Sequence, residues 1–342
     1  MGMNEILKTY LSVSLSASFL IMLLMVCRPL YQKRFSRRWQ YYIWLVVIVR
    51  LVLPWNPGNG IVGRFFQEKR LETWVGQALK ARNESVRENM REETAAQNLS
   101  SQDEIKQNGN AQILNDIRTQ DDIYNKSVWY QKTQMLLQNI WVLWLSVAFV
   151  LLIRKIIIYQ SFVKFLKAGC TAVEDMERLE ALGKLMEQNH IRRMTGLYTN
   201  SLTASPLLIG FIHPSIILTK AQLSDLDFHY TILHELTHNK RRDMFYKWLV
   251  QFVICLHWFN PLVYWMEREI GRSCELSCDE AVMKNLDAEG RRQYGDTLLR
   301  AMGAGGVYHN SLASMTLNES RELLKERLGA IMNDKKKTRF TR

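Results

Sequence analysis

Cysteine is scarce in this chain of 342 residues. There are five, an odd number and widely scattered, which argues against a secreted disulfide scaffold and for reduced thiols. Charge is also thin, 23% of residues against 47% apolar, a balance outside the range of disordered chains. Acid is the rarer sign: 33 Asp and Glu face 45 Lys and Arg, a net charge of +12. Such a surplus points to nucleic acid or to a membrane whose inner face carries positive loops. The basic residues cluster at the flanks of apolar blocks and at helix ends, with no aromatic-interleaved groove pattern, so no direct nucleic-acid partner is expected. No internal repeat or single-residue tract is present. The length allows one large domain or two smaller ones. A mean hydropathy of −0.16 would suit an ordinary soluble protein, but the average hides a segregation of apolar blocks around a long polar stretch.

Three blocks read as membrane spans. The first, residues 10–27, is long enough to cross a hydrocarbon core of about 30 Å. The second, residues 39–55, carries aromatic residues at both ends, as an interfacial belt does; Arg50 inside it is five residues from Trp55 and can snorkel to the nearer headgroups. The third, residues 135–159, is the strongest. Between the first two lie Arg28, Lys33, Arg34, Arg37 and Arg38 without an acid. That loop is expected in the cytoplasm, which puts the amino terminus and the polar segment 56–134 outside and everything after Arg154 and Lys155 inside. Part of the outer segment, within residues 65–93, mixes acids and bases at helical spacing.

The chemistry begins at His234, Glu235 and His238, an H-E-x-x-H pattern. A helix sets residues four apart on one face, so both imidazoles can bind one zinc while Glu235 addresses the attacking water. Zinc lowers the pKa of such a water toward about 7, and the glutamate can take its proton and return it to the leaving amine. The surrounding run has no Gly or Pro, Ser224 or Asp225 can cap it, and Lys240, Arg241 and Arg242 suit its carboxyl end. A third ligand is required, and Glu275 and Asp279, four apart on a polar helix face, offer one. Glu275 as ligand with Asp279 orienting a histidine from behind fits a His2Glu catalytic site. Cys274 and Cys278 have the same spacing and, with both histidines, would close a structural site with no open position. In that case Glu235 is left without a purpose.

Residues 244–265 are apolar enough to suggest a fourth crossing, but a single crossing would part Glu275 from His234. The expected arrangement is an apolar helix, a break at Asn260 and Pro261, and a second helix carrying Glu275, the pair re-entrant or docked on the inner leaflet. His257 reads as a packing or hydrogen-bonding residue. Residues 205–218 read as two short strands around a turn, which either hold a peptide by strand addition or form a plain hairpin.

With these residues in view, the chain resembles the BlaR/MecR-type antirepressor membrane peptidases. The matching pieces are SPLLIGFIHPSIILT, HELTHNKRRD, HWFNPLVYWMEREI and RSCELSCDE, in that order. A more distant likeness is to the HtpX and CAAX-prenyl membrane proteases, which share an R-x-x-E-x-x-x-D arrangement occupied here by Arg272, Glu275 and Asp279. The resemblance implies a gluzincin in which His234, His238 and Glu275 hold Zn2+, Glu235 is the general base, and Asp279 and Arg272 support them. It implies a mostly α membrane protein: two spans with a basic cytoplasmic loop in 1–55, an extracytoplasmic segment 56–134, a third span 135–159, a cytoplasm-facing α+β metalloprotease domain 160–318, and a basic helix and tail 319–342. It further implies a membrane-embedded endopeptidase that inactivates a cytosolic transcriptional repressor, with self-cleavage accompanying activation; residues 303–318 occupy the comparable place. Its partners are then that protein substrate, the lipid bilayer, and a sensor partner or a second copy. Sensor-type members continue into a fourth span and a penicillin-binding domain. Here the chain stops in a basic tail and no S-x-x-K element lies in a suitable domain, so beta-lactam binding is not expected. A housekeeping membrane protease and a signalling scaffold with structural zinc are the competing functions.

Overall fold

Helix dominates a computed structural model that describes residues 3–53, 109–201, 203, 205–219, 223–303 and 321–332. The helical expectation within 65–93, the self-cleavage segment within 304–318 and the tail 333–342 lie outside the described residues. Two compact units are distinguished, residues 1–12 with 54–144, and residues 13–53 with 145–342. In the first, the ring of Tyr10 lies 4.9 Å from that of Trp144. The second carries the candidate chemistry.

Two of the three apolar blocks lie in helices long and apolar enough to cross a bilayer. These are Thr9–Gln32 within α1 (Met3–Arg34) and Asn139–Ala168 at the end of α4 (Gly109–Ala168). The middle block differs. It forms α2 (Arg37–Tyr42) and α3 (Trp44–Val52), joined at Ile43, where a tightened bond runs from the Val46 N–H to the Ile43 carbonyl. The pair is about 24 Å long at 1.5 Å per residue, shorter than a hydrocarbon core. One face is spent on protein: Tyr41, Trp44, Val47, Ile48 and Leu51 are buried in one cluster with residues of α1, α7 (Asp243–Leu256) and α8 (Pro261–Met283), while Val46, Val49 and Leu53 on the other side stay exposed.

A four-stranded sheet of order β1-β2-β4-β3 supports the other side. β1 (Cys170–Ala172) pairs antiparallel with β2 (Gly196–Asn200), β2 parallel with β4 (Ser215–Thr219), and β3 (Leu207–Ile209) antiparallel with β4 at the edge. The hairpin expected at 205–218 is present as β3 and β4, in register Leu208 with Ile216. Its turn needs Gly210, with φ at 90°, where a Cβ would stand 2.4 Å from the His213 carbonyl oxygen. β4 is covered on both faces, which is why three successive apolar residues fit it. Ile216 and Leu218 pack with α5 (Met176–Gln188) and α6 (Asp225–Arg241), and Ile217 packs with Phe162 and Leu166 of α4.

The helices that face each other across the site start and stop where their sequences direct. Ser224 caps α6, its hydroxyl accepting the Asp227 N–H at 3.2 Å. Arg242, in the left-handed conformation at φ 56°, turns the chain sharply into α7. Asn260 caps α8, accepting the Leu262 N–H at 3.0 Å, with Pro261 in the first turn. This is the broken helix pair read from the sequence. His257, in the break, is fully buried and its Nε2 lies 3.2 Å from the Leu51 carbonyl oxygen, a hydrogen-bonding role. α9 (Ala288–Gly303) and α10 (Arg321–Met332) close the domain against α6 and α8 through a core around Tyr294, Leu298 and Ile331.

Candidate metal centre

Helical spacing brings the two imidazoles together as expected: His234 Nε2 and His238 Nε2 are 3.2 Å apart. Glu275, from α8, meets both, with Oε2 at 3.5 Å from His234 Nε2 and 3.6 Å from His238 Nε2. Donors held at about 2.0–2.2 Å around one tetrahedral zinc stand about 3.3–3.5 Å from each other. These three atoms therefore fit one divalent ion. Glu235 is 8% exposed and pairs with no described side chain, so its carboxylate is uncommitted.

Each histidine is held from behind. His238 Nδ1 donates to Asp243 Oδ2 at 2.8 Å. The other oxygen of Asp243 accepts the Tyr41 hydroxyl at 3.1 Å and lies 3.4 Å from Arg241 Nε. His234 Nδ1 lies 2.9 Å from the Tyr294 hydroxyl, which donates to Asp279 Oδ1 at 2.6 Å. Since the phenol's single proton goes to the carboxylate, the imidazole must donate its Nδ1–H, leaving Nε2 as the free acceptor. Burial and the Asp279 carboxylate keep that phenol protonated. Asp279 is fully buried and clamped by Arg327, whose Nε and a terminal nitrogen each donate at 2.8 Å.

The sequence expectation for Asp279 thus needs adjusting. It stands 3.6 Å from His234 Nδ1 and reaches the ring through Tyr294. Arg272 lies elsewhere. Its polar contacts among the described residues are to Glu269 and Glu326, not to the histidines. It ties α8 to α10, next to Arg327. Of the cysteine alternative, Cys278 forms with His234 and His238 a group close enough to hold an ion. Cys274 approaches His238 Nδ1 at 3.9 Å, the nitrogen that Asp243 already uses. All five thiols are free.

Electrostatics fit a cation. Burial pulls His234 down, but the Cys278 and Glu275 groups around it prevail and raise it to about 10. His238 is likewise raised well above its ordinary value, by Cys278, Glu275 and Asp243 against burial. Burial pushes Glu275 up, yet His238, His234 and Lys247 hold it well below the usual carboxylate range; Lys247 Nζ is 3.7 Å from Glu275 Oε1. The pocket attracts positive charge, and a metal entering it displaces protons.

Sequence reasoning missed Asp243, Tyr294, Arg327, Lys247 and Tyr41. Only Asp243 and Lys247 carried a local signal, being four apart at the start of the helix that follows the motif. The others arrive from distant segments.

The chain is 31% identical over 174 residues to the regulatory protein BlaR1 of Bacillus licheniformis, covering 49% of this chain and 28% of that one. It is 28% identical over 155 residues to the methicillin resistance mecR1 protein of Staphylococcus aureus, covering 44% and 26%. The chain spans about a quarter of the length of these relatives. The crystal structure of S. mikatae Ste24p matches 60% of this chain and 66% of that one, at a TM-score of 0.33 and 14% identity, a likeness too weak to carry an argument. The model of the BlaR1 peptidase M56 family matches residues 8–331, nearly the whole chain, and the chain belongs to that family.

Proposed function

We propose that this chain is a membrane-embedded zinc endopeptidase of the signal-transducing, antirepressor type. The observation that carries the reading is the meeting of His234 Nε2, His238 Nε2 and Glu275 Oε2 within 3.2–3.6 Å beside an uncommitted Glu235, in a chain of a peptidase family. His234, His238 and Glu275 would hold the ion. When bound, zinc supplies Lewis acidity toward the scissile carbonyl and acidifies a water. Glu235 accepts the proton of the attacking water and delivers it to the departing amide nitrogen. Asp243 and the pair of Tyr294 with Asp279 keep the imidazoles in the tautomer that presents Nε2. The free side of β3, beside α6, offers main-chain groups to an extended substrate.

The substrate is a protein, a cytosolic transcriptional repressor by analogy with relatives named for regulation and methicillin resistance. Self-cleavage within 303–318 is part of the same reading. The membrane part rests on three crossings, α1, the α2–α3 pair and the apolar half of α4, and on the basic cluster between the first two blocks. It puts the amino terminus outside and the peptidase domain, 160–318, in the cytoplasm. Outward-facing Phe245, Leu249 and Phe252 on α7 give the helix pair an apolar face for the inner leaflet. Glu235→Ala tests the chemistry. It is expected to abolish cleavage of a co-expressed repressor while zinc content stays at wild-type level, and retained cleavage would refute the mechanism.

A further inference from the structure

The His238 side of the centre ends on a residue from the opposite end of the chain. Tyr41 is fully buried, and its hydroxyl donates to Asp243 Oδ1 at 3.1 Å across 202 residues of sequence. Asp243 is 2% exposed and spends Oδ2 on His238. A buried carboxylate oxygen left short of donors is costly, so the Tyr41 hydroxyl helps to fix which way Asp243, and with it the imidazole, faces. The ring has little freedom of its own. It meets Tyr246 edge-on at 4.8 Å, and the Arg241 guanidinium lies over it at 4.8 Å.

The helices behind Tyr41 are braced along α8, which carries Glu275. Asn260 Nδ2 donates to Ser14 at 2.9 Å and to Ser18 at 2.7 Å in α1. Arg28 reaches Glu269 at 3.1 Å. The backbone N–H groups of Arg37 and Arg38, at the start of α2, both donate to the Glu280 carboxylate at 3.1 Å. α1 and α2 therefore touch the helix of one metal ligand along its length and the support of another through a single hydroxyl.

We propose that Tyr41 is a positioning residue of the metal centre, acting through Asp243 on His238, so that the N-terminal helices α1 and α2 set the centre's affinity for metal. A shift of these helices that withdraws the hydroxyl loosens His238 without touching substrate. This rests on the reading above that His238 holds the ion.

The test is zinc affinity by chelator competition on the full chain in lipid nanodiscs, for wild type, Tyr41→Phe, Asp243→Asn and the double variant. Tyr41→Phe keeps the ring and its packing and removes one oxygen. It is expected to weaken zinc by about threefold, less than the roughly 10–100-fold typical of a group in direct contact with a ligand. The double variant is expected to be no weaker than Asp243→Asn alone, because both changes break one path. Tyr246→Phe is the matched control: its hydroxyl is buried with no hydrogen-bond partner among the described residues, so its loss is expected to leave affinity unchanged. Wild-type affinity in Tyr41→Phe, or a double variant showing the product of the two single losses, overturns the proposal. Wild type that binds no zinc overturns instead the metal reading on which it stands.

Discussion

His234 and His238 lie one turn apart on α6 and offer the same atom to the same point, yet they are held in unlike ways. Behind His238 is a carboxylate in direct contact, Asp243, five residues on in the chain, with Tyr41 beyond it. Behind His234 is a neutral phenol, Tyr294, with Asp279 and Arg327 beyond it. A charged hydrogen bond is roughly twice as strong as a neutral one, so the His238 side gains its orientation from a single strong contact. The His234 side gains it from a relay whose last member belongs to α10. One imidazole is thus backed by the N-terminal helices and the other by the C-terminal ones.

That contrast can be broken by experiment. The largest effect is expected from Arg327→Met, which leaves the fully buried Asp279 carboxylate without its cation. Such a loss costs about 3–5 kcal/mol, and denaturant unfolding of the full chain measures it; a cost under about 1 kcal/mol would show that α10 is not needed to seat Asp279. Next comes Asp243→Asn, expected to weaken zinc by about 10–100-fold. Tyr294→Phe is expected to cost less, by several-fold, since a neutral contact is lost while Asp279 keeps Arg327. Equal losses from these two variants would end the distinction between the sides.

The smallest effect comes from a network away from the centre. Asp227 in the first turn of α6 accepts from Arg300, Thr297 and Ser224. Burial pushes its carboxyl up, but these donors prevail and hold it below its ordinary value. Its contribution is therefore fully present above the unfolded value of about 3.9 and fades as pH falls through the lower folded one. Asp227→Asn is expected to cost about 1 kcal/mol at neutral pH, to flatten the acid limb of stability against pH, and to leave zinc affinity alone. A change in zinc affinity would mean that the first turn of α6 is coupled to the histidines.

What could be read ahead of the coordinates follows from range. His234, Glu235 and His238 share a turn, Ser224 sits just before an apolar-periodic run, and Asn260 with Pro261 marks a break in any helix, so each was legible from neighbours. Glu275 was legible because a catalytic His2Glu set requires a third donor and one polar helix face downstream supplied it. Tyr294 and Arg327 were not, since they meet His234 and Asp279 across 60 and 48 residues, and no spacing rule reaches that far. How the middle apolar block is shared between its surroundings was not legible from composition. Hydropathy does not distinguish a side chain facing lipid from one facing protein, and Trp44, Val47, Ile48 and Leu51 face protein. Arg272 drew attention through a pattern shared with other membrane proteases, while the structure employs it to pin α10.

The central claim is that two imidazoles and the Glu275 carboxylate share one ion while the neighbouring thiols stay out. A zinc K-edge absorption spectrum of the purified full chain reads the donors directly. The account predicts only nitrogen and oxygen neighbours at about 2.0–2.2 Å, with the glutamate contribution lost in Glu275→Ala. A sulfur neighbour at about 2.3 Å would put Cys278 on the metal and contradict it.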